Sequence, residues 1–149
     1  GLFHIIESGI SIKTIYRSHD LKIATTLESY LDSLSFNHQI QVDTIYRGWE
    51  HGSFDSLRIQ LLWPYKGHNF EGNAASQVFK ILIGQTSTLL MGDLEYEQEI
   101  ELIRKENFLE ATVLNAGHHG SKTSSSLELL EKVTPKWAII TAFSFGTIL

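Results

Sequence analysis

The chain carries the stretch Ala111-Thr-Val-Leu-Asn-Ala-Gly-His-His-Gly-Ser-Lys-Thr-Ser-Ser125. Its apolar half predicts a strand over residues 112–116, which ends at a turn of two histidines, a glycine and a serine. A hydroxyl-rich segment follows, and then a predicted helix over residues 125–133, for which Ser125 and Glu128 fit a capping box. Two adjacent imidazoles beside a glycine suit a metal or phosphate site, because glycine lets another group approach the backbone closely.

A second predicted strand, residues 86–91, ends at Gly92-Asp93 and presents a carboxylate in the same way. Ligands bind at the carboxyl ends of strands in open α/β sheets, so we expect Asp93 and the histidine pair on one rim. Asp93, His118 and His119 are therefore the candidate catalytic and metal-ligating residues. One imidazole would ligate an ion and the other would contact substrate or donate a proton. We favour His118 as the ligand because it follows the strand directly.

Each of these residues also has a plainer interpretation. Asp93 precedes a Glu-rich segment, residues 94–107, which predicts an exposed helix with the acidic start that the helix dipole favours. Ser121, Lys122 and Asn73 are candidates for substrate binding. Ser121 and Lys122 offer a hydroxyl and an ammonium group to phosphate oxygens near the start of a helix. Ordinary helix capping explains the residues around Ser121 equally well, and a polar turn is the alternative interpretation of Asn73.

The rest of the chain predicts a mixed fold without an internal boundary, so residues 1–149 are taken as one partial domain. Gly84-Gln85 predicts a two-residue hairpin between strands over residues 77–83 and 86–91. Apolar spacing predicts a helix over residues 21–34, capped by Asp20. Alternation predicts further strands at residues 40–46 and 57–61, and short apolar segments predict strands at residues 12–16 and 138–142. Strands in series followed by alternating strands and helices favour an α/β (α+β) layered domain.

Composition excludes several classes of protein. A formal net charge of −5 gives no general affinity for nucleic acid, so a polyanion needs a local patch or bound metal ions. The absence of cysteine excludes disulfides and thiolate metal sites. No apolar run approaches the roughly 20 residues that a membrane span needs. The N-terminus lacks the zones of a signal peptide. Because the chain begins at Gly1 without methionine, we expect it to be part of a longer protein.

Taken together, these motifs resemble the C-terminal part of a metallo-β-lactamase-fold domain, in the version found in ComEC-type competence proteins of bacteria. The resemblance covers about residues 55 to 142. It rests on four matching segments, of which the Gly-Asp-Leu-Glu and Gly-His-His-Gly-Ser motifs together are the most specific. The four segments are Asn73-Ala-Ala-Ser-Gln-Val, Leu89-Leu-Met-Gly-Asp-Leu-Glu-Tyr-Glu-Gln-Glu99, Val113-Leu-Asn-Ala-Gly-His-His-Gly-Ser-Lys-Thr-Ser-Ser125 and Val133-Thr-Pro-Lys-Trp-Ala-Ile-Ile140.

The resemblance implies a four-layer αββα sandwich with divalent metal ions, zinc or manganese, between the sheet edges. It implies that Asp93 bridges the metals and that His118 or His119 is the late histidine ligand. The implied reaction is phosphodiester hydrolysis of DNA during uptake, by metal-activated water. The implied setting is a soluble domain of a bacterial inner-membrane protein, attached to a membrane-channel part of the same chain.

The chain departs from the family pattern in ways that predict an incomplete metal site. The main ligand motif, His-x-His-x-Asp-His, belongs before residue 1, and Gly72 stands where many such enzymes have a middle histidine. Two other functions therefore stay open. One is a hydrolase of the same fold acting on a small ester or phosphodiester, and the other is a catalytically inactive accessory or interaction module.

Overall fold

Helices and strands are mixed along the chain, which confirms the α+β class. The computed structural model describes residues 2–18, 25–52 and 57–141. The helices are α1 (Leu2–Glu7), α2 (Thr25–His38), α3 (Tyr96–Lys105) and α4 (Leu127–Val133). The strands are β1 (Thr14–Arg17), β2 (Gln41–Thr44), β3 (Glu50–Gly52), β4 (Leu57–Trp63), β5 (Val78–Ile83), β6 (Thr86–Leu90), β7 (Val113–Asn115) and β8 (Trp137–Ile139).

The larger sheet has six strands in the order β3-β4-β5-β6-β7-β8. From β3 to β6 the neighbours are antiparallel, and the predicted hairpin is confirmed, since Ile83 pairs with Thr86 around Gly84-Gln85. From β6 to β8 the neighbours are parallel, with α3 and α4 as the crossover helices. Leu90 pairs with Asn115, so β6 and β7 end side by side. The loops that follow these two strands therefore leave the sheet at the same edge.

A second, two-stranded sheet is formed by β1 and β2, which run parallel on either side of α2 in the chain. The Tyr16 ring of β1 lies against the ring of Trp49, the residue before β3, with the ring centroids 4.8 Å apart. The predicted helix over residues 21–34 is found as α2, which continues beyond the predicted end to His38. Residues 21–24 of the predicted helix and its proposed cap, Asp20, lie outside the described residues.

One face of the six-stranded sheet is covered by α3 and α4. Leu89 and Leu114 are paired across β6 and β7, and both are fully buried in a cluster with Leu102 of α3 and Leu129 of α4. Burying each such side chain contributes about 1.5–3 kcal/mol. Strand alternation turns Trp137 and three further apolar residues to the opposite face, where they are exposed. The three are Leu57, Ile83 and Ile139.

Two sequence predictions need correction at α3 and α4. The segment after Asp93 is not an exposed helix throughout, because Glu99 and Leu102 of α3 are buried. The cap of α4 is Ser126, whose hydroxyl accepts a hydrogen bond from Leu129 N–H, and not Ser125. Ser125 has a positive φ of 55° and its hydroxyl accepts instead from Gly117 N–H. None of the described helices has the length and apolar composition needed to cross a membrane.

Candidate functional site

The loops that follow β6 and β7 are bonded directly to each other. Gly92 has a φ of 57°, and its carbonyl accepts a hydrogen bond of 2.8 Å from His118 N–H. On the other side, Asp93 N–H donates to the Ser76 hydroxyl at 3.1 Å. These bonds fix the Gly92-Asp93 turn between the segment before β5 and the histidine turn after β7.

Asp93 and the histidine pair lie together on one rim, as predicted. The Nε2 atom of His119 is 3.7 Å from the Oδ1 atom of Asp93. Side-chain exposure is 64% for His119 and 44% for Asp93, so both are open to solvent and to a ligand. The structure thus brings an imidazole and a carboxylate to adjacent strand ends, although they are far apart in sequence.

The histidine turn has an uncommon backbone. His118 and His119 have φ values of 47° and 54°, in the left-handed region that is uncommon for residues other than glycine. The usual alternation of side chains in a strand does not apply there, and the two rings lie 6.5 Å apart at an angle of 61°. Both imidazoles therefore remain on the rim and point toward different carboxylates.

The partner of His118 is Glu95, a residue to which the sequence reasoning gave no role. The Nδ1 atom of His118 lies 3.3 Å from Glu95 Oε1, within the range of an ion pair. No hydrogen bond joins the two atoms, and this Nδ1 atom is shielded from solvent with no hydrogen-bond partner among the described residues. Glu95 is held by Thr123, whose hydroxyl donates to the same oxygen at 3.1 Å. The sequence did offer a sign of this role, because Glu95 lies two residues after Asp93 in Gly-Asp-Leu-Glu.

An open cleft of about 570 Å³ borders this rim. Asn73 lines it together with Glu95 and Thr123, so this candidate for substrate binding faces the same space as the His118 pair. Glu71 and Glu97 also line the cleft and make it acidic. Tyr96 stands at its edge, and the charge of Glu128 raises the pKa of Tyr96 above its ordinary value. The cleft therefore presents mainly acceptors, with few positive groups.

Ser121 and Lys122 are not at the start of a helix. They lie in the loop between the histidine turn and α4, which begins only at Leu127. The Ser121 hydroxyl is 3.0 Å from the Thr123 hydroxyl and accepts from Thr123 N–H, so it shapes this loop. Lys122 is exposed. The contact geometry expected at a helix N-terminus is therefore absent at these two residues.

The donor types of the rim fit a divalent metal, but their number does not complete a site. Two carboxylates and two imidazoles are groups that zinc and manganese accept. They are arranged as two pairs, Asp93 with His119 and Glu95 with His118. Among the described residues, no group of three or more acidic or histidine side chains is placed to hold one ion. The described part of the chain thus presents two pairs of groups of the ligand type and not a complete site.

Comparison with known proteins relates the chain to competence proteins. Competence protein ComA of Neisseria gonorrhoeae is 36% identical over 58% of this chain, and ComE operon protein 3 of Bacillus subtilis is 38% identical over 58% of it. The uncharacterized protein YcaI of Escherichia coli is 38% identical over 66% of the chain. No protein-family model matches the chain.

These relatives are much longer than the matching segment. The matches cover 14% of YcaI, 13% of ComA and 11% of ComE operon protein 3. The predicted likeness to competence proteins is confirmed by these similarities. The similarities concern one segment of each relative.

Proposed function

We propose that this chain forms part of a divalent-metal-dependent hydrolase domain that cleaves the phosphodiester backbone of DNA during uptake by a competence protein. The observation that carries the proposal is the 3.7 Å approach of His119 Nε2 to Asp93 Oδ1 at the ends of neighbouring parallel strands. Similarity to competence proteins supplies the context of DNA uptake.

The spacing of this pair supports a shared ion. Ligand atoms bonded at about 2.05 Å in tetrahedral geometry are about 3.4 Å apart. The observed 3.7 Å needs a shift of only a few tenths of an ångström, which two exposed side chains can make. His119 is therefore our candidate for the ligand that shares an ion with Asp93. His118 is the candidate for the neighbour that contacts substrate, with Glu95 limiting its orientation.

The remaining ligands would come from outside the described residues. We propose zinc or manganese as the ion, which when bound supplies an activated water and a positive centre for a phosphate oxygen. The contribution of this chain is to hold Asp93 and the imidazoles rigidly, through the bonds from Asp93 N–H to Ser76 and from His118 N–H to Gly92. The isolated chain would accordingly bind metal weakly and be nearly inactive.

The charge distribution supports this dependence on metal. DNA is a polyanion, and the cleft beside the rim contains Glu71, Glu95 and Glu97. A phosphate approaching Asp93 needs positive charge that the cleft does not supply, and Lys122 is the nearest exposed cation in the turn sequence. Bound divalent ions would reverse the local potential.

We also propose that the domain is a metallo-β-lactamase-like αββα sandwich. The support is the six-stranded sheet, which has helices on one face and exposed apolar side chains on the other, including Ile83, Trp137 and Ile139. A second sheet packed on this face would bury them, as facing sheets do in sandwiches.

The test uses the native full-length protein with the variants Asp93→Asn, His118→Ala and His119→Ala. We expect Asp93→Asn to abolish DNA hydrolysis and weaken metal binding, because it keeps the shape and removes the charge. His119→Ala should lose metal, whereas His118→Ala should keep metal and lose turnover. Metal content and cleavage of linear DNA are measured for each variant.

Asp32→Asn is the matched control, because Asp32 is an exposed aspartate on α2. It should leave metal content and turnover unchanged. Wild-type turnover in Asp93→Asn would refute the proposal. A wild-type protein without metal or turnover would support an inactive interaction module instead, and hydrolysis of a small ester with DNA left intact would support a different hydrolase.

A further inference from the structure

Glu99 is a buried carboxylate that the proposed metal site does not use. It lies in α3, its relative exposure is 0%, and the described residues give it no lysine or arginine partner. Burying an ionised carboxylate is costly unless donors satisfy both oxygens. Glu99 sits three residues before buried Leu102 on the same helical face, where an apolar side chain would be expected. Its burial therefore requires a specific set of donors.

Those donors are two consecutive backbone amides in the loop before α4. Glu99 Oε1 accepts from Ser125 N–H at 2.6 Å, and Oε2 accepts from Ser126 N–H at 2.9 Å. In a capping box the carboxylate comes from the third residue of the same helix, which here is Leu129. Glu99 supplies that carboxylate from α3 instead. It also holds Ser125 at its positive φ of 55°, a conformation that costs free energy without such support.

The same loop holds the start of the histidine turn. The Ser125 hydroxyl accepts from Gly117 N–H at 3.0 Å, and the Ser124 hydroxyl donates to Gly117 C=O at 2.6 Å. Both backbone groups of Gly117 are thus bound by consecutive serines. The fit is close, because a Cβ on Gly117 would lie 3.1 Å from the Leu94 carbonyl oxygen and 3.2 Å from Ser124 Cβ. The next residues are His118 and His119, in their left-handed conformation.

We propose that Glu99 is a positioning residue for the histidine turn and acts through Ser125 and Gly117. Its carboxylate fixes the loop, the loop fixes Gly117, and Gly117 sets where the His118 and His119 imidazoles lie on the rim. We call the contacts of Glu99, Ser125 and Gly117 the clamp. Its functional meaning rests on the proposed metal site, but the contacts themselves do not. Glu99 touches neither imidazole in the described residues, so its effect is indirect.

Hydrogen–deuterium exchange of the metal-free, full-length protein tests the clamp without relying on activity. Glu99→Gln keeps the size of the side chain but turns one acceptor into a donor facing an N–H group. We expect the exchange rate of residues 112–126 to rise about tenfold or more, because the loop loses a hydrogen bond to a charged group and opens more often. Exchange in β5 and β6 should stay as in the wild type. The control Glu131→Gln, on the exposed side of α4, should change neither region.

Two further variants separate positioning from simple capping. Ser126→Ala removes the α4 cap and should raise exchange in α4 while leaving residues 112–120 unchanged. Ser125→Ala keeps Glu99 paired with both amides and should raise exchange at 112–120 alone. The double variant Glu99→Gln/Ser125→Ala should exchange there no faster than the faster single variant, because both act through one chain of contacts.

Three results would overturn the proposal. The first is an increase in exchange that Glu99→Gln confines to α4. The second is an exchange rate at residues 112–120 of the double variant that rises by the product of the two single effects. The third applies if Glu99→Gln unfolds the whole protein, in which case Ser125→Ala decides alone, and unchanged exchange at 112–120 refutes the clamp.

A manganese titration then links the clamp to the site. We expect Glu99→Gln to weaken binding about tenfold or more, within the range known for residues that support metal ligands. Wild-type affinity in Glu99→Gln alongside altered exchange would refute the link to the imidazoles. A wild-type protein that binds neither manganese nor zinc would refute the proposed function, and the hydrogen–deuterium exchange results would still test the role of Glu99 in the loop.

Discussion

Replacing Gly92 by alanine should destabilise the protein more than the same change at another glycine of equal backbone conformation. Gly92 has a φ of 57° in the turn that carries Asp93. An added Cβ would lie 3.1 Å from Ser76 Cβ and 3.2 Å from the Gln77 carbonyl oxygen. Ser76 also accepts the hydrogen bond from Asp93 N–H, so moving it disturbs the rim.

Gly84 is the matched control. It lies at the hairpin tip with a φ of 55°, and an added Cβ there would meet nothing within 4 Å. The left-handed conformation of alanine costs about 1–2 kcal/mol, and this is the whole expected effect of Gly84→Ala. The close contacts at Gly92 add about 1–3 kcal/mol of overpacking. We therefore expect Gly92→Ala to lose about 2–5 kcal/mol of unfolding free energy.

Urea unfolding followed by circular dichroism measures both losses. The free energy of unfolding should fall further for Gly92→Ala than for Gly84→Ala, with equal denaturant slopes in the two variants. Equal losses in the two variants would refute the reasoning, because they would mean that the segment before β5 yields without cost to an added Cβ.

Two further predictions concern the elements that support the rim. Ser126→Ala should lower the free energy of unfolding by about 1 kcal/mol, since the hydroxyl caps α4 through Leu129 N–H, and urea titration measures it. Leu102→Ala should cost about 2–5 kcal/mol because the fully buried side chain leaves a cavity. Phe108→Ala, at a side chain 79% exposed, should change stability by less than about 0.5 kcal/mol, and similar losses in both variants would contradict the assigned core.

Much of the fold follows from local patterns. The hairpin at Gly84-Gln85 was predictable because a glycine-first pair between two apolar runs has few other conformations. The strand over residues 112–116 was predictable because Leu114 and its neighbours form a short apolar run before a glycine. The exact cap of α4 was not predictable, because Ser124, Ser125 and Ser126 are alike in sequence. Tertiary bonds to Gly117 decide which hydroxyl remains for the helix.

The candidate site was predictable in part for a physical reason. Asp93 and His119 both follow apolar strands, and parallel pairing of those strands brings their ends together. Glu95 and Glu99 were missed because a Glu-rich start of a helix usually indicates a helix face exposed to solvent. Only the packing of α3 against the loop before α4 shows that Glu99 is buried and that its two oxygens accept Ser125 and Ser126 N–H.

The measurement that tests the central claim most directly is a crystal structure of the native full-length protein with manganese, using anomalous scattering to locate the ion. We predict an anomalous peak within direct bonding distance of a carboxylate oxygen of Asp93 and of an imidazole nitrogen of His119, with the other ligands from outside the described residues. A peak bound elsewhere, or no peak near Asp93 at saturating manganese or, in a second crystal, at saturating zinc, would contradict the account.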